Sequence, residues 1–263
     1  MEIQNHDLIH PTAIIHSGAK LGKGTRVGPF SVISSDAIVG DNCEIQENVI
    51  IRGRVTLGND CKVFPFSVLG GEPQHLGYKN EPTEVVVGDR VVFRESVTVH
   101  RGTVMGGGVT RIGSDCLIMA YVHVGHDCHV GNKVIIVNAS QLAGHVIVED
   151  FATVGGQTGV VQHCRVGRYC YIGGGSLIRK DLPPFLAGKG NDFQIQGINR
   201  VGMERAGIDS KRIADMKEIY KIFLLQNLTV SKALEKISVK FPESEDAKVF
   251  LDFVKSSKVG VHR

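Results

Sequence analysis

His126 and Asp127 stand side by side in this chain of 263 residues, with His123 and His129 close by and His145 and His163 further along. A carboxylate beside an imidazole can fix its tautomer and stabilise its protonated form, as a base and its orienter do. A glycine brought near such a pair, here Gly144, can offer a backbone N–H to a developing oxyanion. The run His123-x2-His126-x2-His129 also has the spacing of a metal cluster. The choice between these readings depends on the elements that carry the residues.

Those elements follow from a strict period of six. Counting from Ile15, every sixth residue through Leu69 is aliphatic, and the frame resumes at Val87, Phe93 and Val99. It restarts, shifted by one, at Ile112 and runs to Ile178. Four positions after the frame residue stand small residues such as Ala19, Thr25, Ser31, Val122, Ser140 and Thr158, and glycine often follows it directly, as at Leu21-Gly22 and Val124-Gly125. Neither the helical period of 3.6 nor the strand period of 2 produces a six. Hexapeptide periodicity predicts a left-handed parallel β-helix, an all-β solenoid whose triangular coil takes three short strands and about 18 residues. Each coil buries its aliphatics only against its neighbours, so the core needs few aromatics. The composition agrees, with 32 glycines, 6% aromatic residues and no tryptophan.

Cys43, Cys61, Cys116, Cys128, Cys164 and Cys170 occupy the small-residue column, so they are expected to pack as small hydrophobes. Two excursions interrupt the frame, near 70–86 and 100–110, and loops on a rigid solenoid are favoured places for binding residues. Past Asp181-Leu182-Pro183-Pro184 the hexads stop. The predicted organisation is a β-helix over 1–190 and a C-terminal α-helical domain over 191–263. There Asp209 or Ser210 caps a helix bearing Ile213, Met216, Ile219, Tyr220 and Phe223 on one face, and two shorter helices follow near 230–241 and 244–257. A net charge of +3 is too small to argue for nucleic acid. No apolar run reaches membrane-spanning length, and the start of the chain lacks a basic segment followed by an apolar one. With its cysteines, the chain reads as cytoplasmic.

An 18-residue coil stacks His126, Gly144 and Gln162 in one column, and Asp127, His145 and His163 in the next. His123 and His129 hold equivalent places in successive hexads, so they point from different sides of the prism. Some hexapeptide-repeat proteins are zinc-dependent carbonic anhydrases, but the spacing here does not match theirs, and no metal is expected.

The chain resembles the UDP-N-acetylglucosamine acyltransferases that open lipid A synthesis. The likeness spans His10-Pro11-Thr12-Ala13 to Gly260-Val261-His262-Arg263. It is carried by Asn80-Glu81-Pro82-Thr83, the run Arg94 to Thr103, His123-Val124-Gly125-His126-Asp127, Leu142-Ala143-Gly144-His145-Val146 and Asp181-Leu182-Pro183-Pro184. The resemblance implies a homotrimer with sites between adjacent β-helices. Its donor is a 3-hydroxyacyl thioester of acyl carrier protein and its acceptor the glucosamine 3-hydroxyl of UDP-GlcNAc. It makes His126 the general base, Asp127 its orienter and Gly144 the oxyanion donor. It sets Gln74, His123, His145 and Gln162 along the substrate cleft, where His75 and His163 are expected beside them in place of family residues, Asn199 and Arg205 near the nucleotide, and Gly174 at the position that limits acyl length. The donor arrives activated, so no cofactor is implied, and the modest positive charge suits an acidic carrier protein.

Five positions depart from the family. His75 and Gly77 replace an aspartate and a lysine, Val161 breaks a His-Gln-aromatic run that reads Val161-Gln162-His163 here, Val201 replaces a carboxylate, and Ala206 replaces the second of two arginines. Lys79 and His163 are candidates to compensate. Two alternatives therefore stay open: an acyltransferase acting on another sugar nucleotide, such as a 3-amino analogue, and a trimeric scaffold without turnover.

Overall fold

The structure, a computed structural model, describes residues 8–263, so the start of the chain, on which the signal-peptide expectation rests, lies outside it. Strands mostly two residues long wind into a left-handed β-helix with three flat faces. Face 1 holds nine strands from Ile14–Ile15 to Leu177–Ile178, and face 2 holds eight from Lys20–Leu21 to Arg165–Val166. Face 3 holds ten, beginning at Arg26–Val27. Within a face the strands pair in parallel one coil apart, as Ile14↔Val32 and Val32↔Ile50 do.

The hexad explains the packing. Frame residues such as Ile33, Ile51, Leu69, Ile118, Val124 and Leu142 point inward and are fully buried. Ile15 and Leu21 are only partly buried, because they sit at the open end of the stack. The small column satisfies the backbone of the adjacent coil: Thr25 Oγ1 donates to Gly40 O at 2.7 Å, and Ser31 Oγ to Gln46 O at 2.6 Å. Cysteine does the same, with Cys43 Sγ 3.1 Å from Gly58 O. All six thiols are buried and free, and burial pushes Cys116 up to about 11 and Cys128 up to about 12, far from thiolate chemistry.

At most corners the chain turns through a residue of positive φ, including Phe30, Phe66 and Tyr121 between faces 3 and 1. Asp127, His145 and His163 do so between faces 1 and 2, with φ of 60°, 62° and 67°. The first excursion leaves after the strand Val68–Gly71 and returns at Glu84–Val87. The second leaves after Thr98–His100 and returns at Val109–Ile112, with one 3-10 turn, Val104–Gly106, capped by Thr103.

Face 3 continues past 190. Leu186–Lys189 pairs with Tyr171–Ile172, and Gln194–Ile198 then adds antiparallel to it, so the helices begin only at Arg200. They are α1 (Arg200–Arg205), α2 (Ser210–Tyr220), α3 (Val230–Lys240) and α4 (Glu245–Lys255), with a π-helical turn over Lys221–Leu225. Asp209 caps α2 by accepting the Arg212 N–H at 2.9 Å. Met216, Ile219 and Phe223 are buried as the pattern predicts. Arg165 joins the two parts, donating to Asp181 Oδ2 at 2.9 Å and to Phe253 O at 2.8 Å. No helix among the described residues is long and apolar enough to cross a membrane.

Candidate active site

Backbone bonds confirm the columns: the His145 N–H reaches His126 O at 2.9 Å, and the His163 N–H reaches Gly144 O at 3.2 Å. His126 and Asp127 are both buried at the corner between faces 1 and 2, and His126 Nδ1 lies 2.8 Å from Asp127 Oδ2. The carboxylate demands a proton on Nδ1, which leaves Nε2 as the basic nitrogen. Asp127 is itself held. Thr103 donates to it twice, from its N–H to Oδ1 at 2.7 Å and from Oγ1 to Oδ2 at 2.7 Å. Its own N–H goes to Thr110 Oγ1 at 2.9 Å.

Gly144 lies against the imidazole: a methyl group there would come within 2.5 Å of His126 Cε1 and 2.6 Å of Nε2. Glycine is thus required for the ring to lie where it does. Its N–H occupies the turn position that carries Pro29 and Pro65 in other coils, a place where the ladder does without an N–H. That donor is consequently available for another acceptor.

Further imidazoles extend the pair in both directions. The His145 ring is 5.2 Å from that of His126, and His163 stacks on His145 at 4.5 Å. His145 Nε2 stands 3.6 Å from Asp127 Oδ2, and burial still lowers its affinity for protons, against the pull of Asp127. His75, at the tip of the first excursion, comes within 5.4 Å of His126. His123 lies on face 1, where Nδ1 meets Thr98 Oγ1 at 2.8 Å and its ring abuts His100 at 4.9 Å. Burial, reinforced by His126, lowers the pKa of His123.

Ligand atoms of His126, Asp127 and His145 lie within 4.8 Å of one another, close enough to consider a metal. The Asp127 oxygens, however, already accept from Thr103 and His126, so they orient the imidazole. His129 stands on face 2 and does not join His123 on face 1.

Above the pair, His123, Gln141, Gly159, Leu177 and Gln162 line a cleft of about 400 Å³ on face 1. Gly174 stands at the far edge of this face, at the corner with face 3, over Gly156. Gln74 is exposed on the first excursion, and Gln162 is exposed beside His163, 3.4 Å away. Two expected residues stand elsewhere on the chain. Asn199 caps α1 by accepting the Gly202 N–H at 3.0 Å and donates to Tyr169 O at 2.8 Å, at the corner between faces 2 and 3. Arg205, in the last turn of α1, is exposed on that side. Thr103 is the residue that the hexad arithmetic missed; it appeared there only as part of a run resembling the family.

The C-terminal residues 181–262 match the model of the second domain of UDP-N-acetylglucosamine O-acyltransferases, and 36–71 and 109–144 match bacterial transferase hexapeptide repeats. An acyl-[acyl-carrier-protein]–UDP-N-acetylglucosamine O-acyltransferase from Anaeromyxobacter is 42% identical over 97% of this chain and 99% of its own length. The chain belongs to the UDP-N-acetylglucosamine O-acyltransferases. Two solved acyltransferases of this name share its architecture over 97% of its length. The Francisella novicida enzyme has a TM-score of 0.94 at 34% identity, with 94% of its own chain covered. The Bacteroides fragilis enzyme has 0.93 at 34% identity, with 99% covered. The chain is therefore an acyltransferase, and the scaffold without turnover is set aside.

Proposed function

We propose that the protein transfers a 3-hydroxyacyl chain from acyl carrier protein to the glucosamine 3-hydroxyl of UDP-GlcNAc in lipid A synthesis. The His126–Asp127 pair, with Asp127 locked by Thr103, carries this reading. His126 Nε2 removes the proton of the acceptor hydroxyl as the oxygen attacks the thioester carbonyl. Negative charge collects on the carbonyl oxygen, and the Gly144 N–H receives it. Asp127 stabilises the imidazolium, which then protonates the departing thiolate of the carrier's prosthetic arm. Carbon–oxygen bond formation and carbon–sulfur cleavage balance without an added cofactor.

The acyl chain runs over face 1 toward Gly174, and Gln162, His145 and His163 line the acceptor side. Asn199 and Arg205 belong to a different corner from His126, so they meet a bound nucleotide only across a boundary between copies. Face 1 supports that assembly. Its outer residues Ile14, Val32, Ile50 and Val68 are aliphatic like the inner ones, whereas face 3 at these levels carries Arg26, Glu44 and Lys62. A parallel sheet apolar on both sides is one that is covered on both sides. A homotrimer with face 1 turned toward a neighbour satisfies both observations.

A second reading keeps the chemistry and changes the acceptor to a 3-amino sugar nucleotide. It is favoured by His75, an imidazole next to His126 where relatives of this family usually have a carboxylate, and by Gly77, where they have an ammonium group.

The test is a product assay by mass spectrometry with 3-hydroxyacyl carrier proteins of several lengths, UDP-GlcNAc, and His126→Ala as control. The parent is expected to form the ester, and the variant to lose about 10²–10⁴-fold in turnover. A variant with near-parental turnover removes His126 as base. A well-folded parent without ester, but active on the 3-amino nucleotide, replaces the first reading with the second.

A further inference from the structure

We propose that Arg101 is a positioning residue that fixes the acceptor loop, residues 72–83, over His126, with Tyr78 as the handle it holds. Arg101 follows directly on the strand Thr98–His100, and its own N–H bonds Gly71 O at 2.9 Å, at the point where the first excursion leaves. Its Nη1 donates to Gly70 O at 2.9 Å and its Nη2 to the Tyr78 hydroxyl at 2.8 Å. That hydroxyl passes the connection on by donating to Glu81 O at 2.9 Å, so a single phenol ties together the outgoing and returning arms of the loop. The guanidinium carbon also lies 5.8 Å from the centre of the Tyr78 ring.

The passage for this side chain is built into the coil. Gly53 turns through a φ of +67°, and a methyl group there would come within 2.2 Å of Arg101 Nη1. Arg101 is 9% exposed, and the partners that hold it are neutral oxygens. Burying a guanidinium against neutral acceptors is costly, so stability alone gives little reason for it. A rigid, planar fork with donors on two sides is what a two-point clamp needs.

Pro73 and Thr83 are buried at the two ends of the loop, but apart from Tyr78 no side chain of the loop is hydrogen-bonded outside it. Gln74, His75, Leu76, Gly77, Lys79 and Asn80 are exposed, and the loop's other polar bonds are internal. The Gly77 N–H meets His75 Nδ1 at 3.1 Å, and the Lys79 N–H meets Glu81 Oε2 at 2.7 Å. Yet His75 stands 5.4 Å from the His126 ring. The separation between the loop and the base is therefore set through Tyr78 and Arg101, which touch neither reacting group.

This inference rests on the acceptor binding beneath that loop, as in the proposed function. Tyr78→Phe keeps the ring on a surface loop and removes only the hydroxyl, while Arg101→Met removes the fork. Both variants are expected to raise the acceptor KM by about tenfold or more, the scale of a hydrogen bond to a charged group, and to leave the donor KM unchanged. The double variant should be no worse than Arg101→Met alone. A parental acceptor KM in Tyr78→Phe, or an equal rise in both KM values, overturns the clamp. Amide hydrogen exchange decides the same point without turnover: residues 72–83 should exchange faster in Tyr78→Phe while the strands of face 1 stay protected. Unchanged exchange overturns the clamp even if the parent rejects UDP-GlcNAc, and that rejection by itself concerns only the acceptor.

Discussion

Asp127 is the most constrained side chain of the site, held by two donors from Thr103 and one from His126. Thr103→Val removes the hydroxyl and keeps the shape, so Asp127 loses one of these bonds while buried. A fall in kcat of about 10–100-fold is expected, equivalent to roughly 1.5–3 kcal/mol for a bond to a charged group. Thr103→Ser should recover most of it. Steady-state kinetics of the two variants checks this, and a loss in Thr103→Ser with none in Thr103→Val would show that the methyl group matters and the hydroxyl does not. The His126 column was legible in the sequence, because no excursion falls between 126 and 162 and steps of 18 hold. Thr103 and His75 were not legible through that arithmetic. Each sits in an excursion that breaks the step, so the spacing carries no information about which side chain it meets. Gly144 was legible only in part: its N–H follows from the turn, but the room it leaves for the imidazole shows only in three dimensions.

The strand Thr98–His100 carries an element-level liability. Burial, reinforced by His123, His126 and Arg101, pushes the His100 imidazole down from 6.5 to about 4. Below pH 6.5 the unfolded chain takes up a proton that the folded one refuses. The stability of this neutral burial is therefore complete above that pH and is lost progressively as pH falls toward 4. His123 and His145 shift in the same direction and steepen the same limb. Urea unfolding midpoints should fall between pH 7.5 and 4.5, and by less in His100→Phe than in the parent. Equal slopes would show that His100 does not contribute. At this scale the repeat made the strands legible, since every coil makes the same demand on its residues. The exceptions lie past the last hexad: the strands Leu186–Lys189 and Gln194–Ile198, which no repeat announces, and α1, six residues capped by Asn199, too short for a hydrophobic period to declare itself.

For the whole molecule, the two-sided aliphatic pattern of face 1 is the decisive surface. Pairs such as Val32-Ile33 and Ile50-Ile51 place one side chain in the core and the next outside. Ile50→Glu puts a charge on the outer side and leaves Ile51 buried. Light scattering should then report smaller species than the parent, with activity lost in proportion, as the proposed sharing of a cleft between His126 of one copy and Asn199 and Arg205 of another requires. An unchanged mass would remove face 1 from the assembly contact. The left-handed solenoid was legible from its period, whereas the two-sided aliphatic face proposed to meet another copy becomes evident only when strands 18 residues apart are laid side by side.

The backward-turning corners restrict how this site can change. Asp127, His145 and His163 all occupy positive-φ positions, a conformation that aspartate, asparagine, histidine and glycine tolerate best and that β-branched side chains resist. Valine, isoleucine and threonine are absent from the positive-φ corners of the described residues. The backbone thus sorts side chains before chemistry selects among them, and those that tolerate this turn best include the two that take up and release protons most readily. Equivalent turns hold Phe30, Phe66, Ala139 and Phe151, so the backbone bars β-branched side chains and little else, and drift at this corner is blocked toward valine or isoleucine while chemistry chooses among the rest.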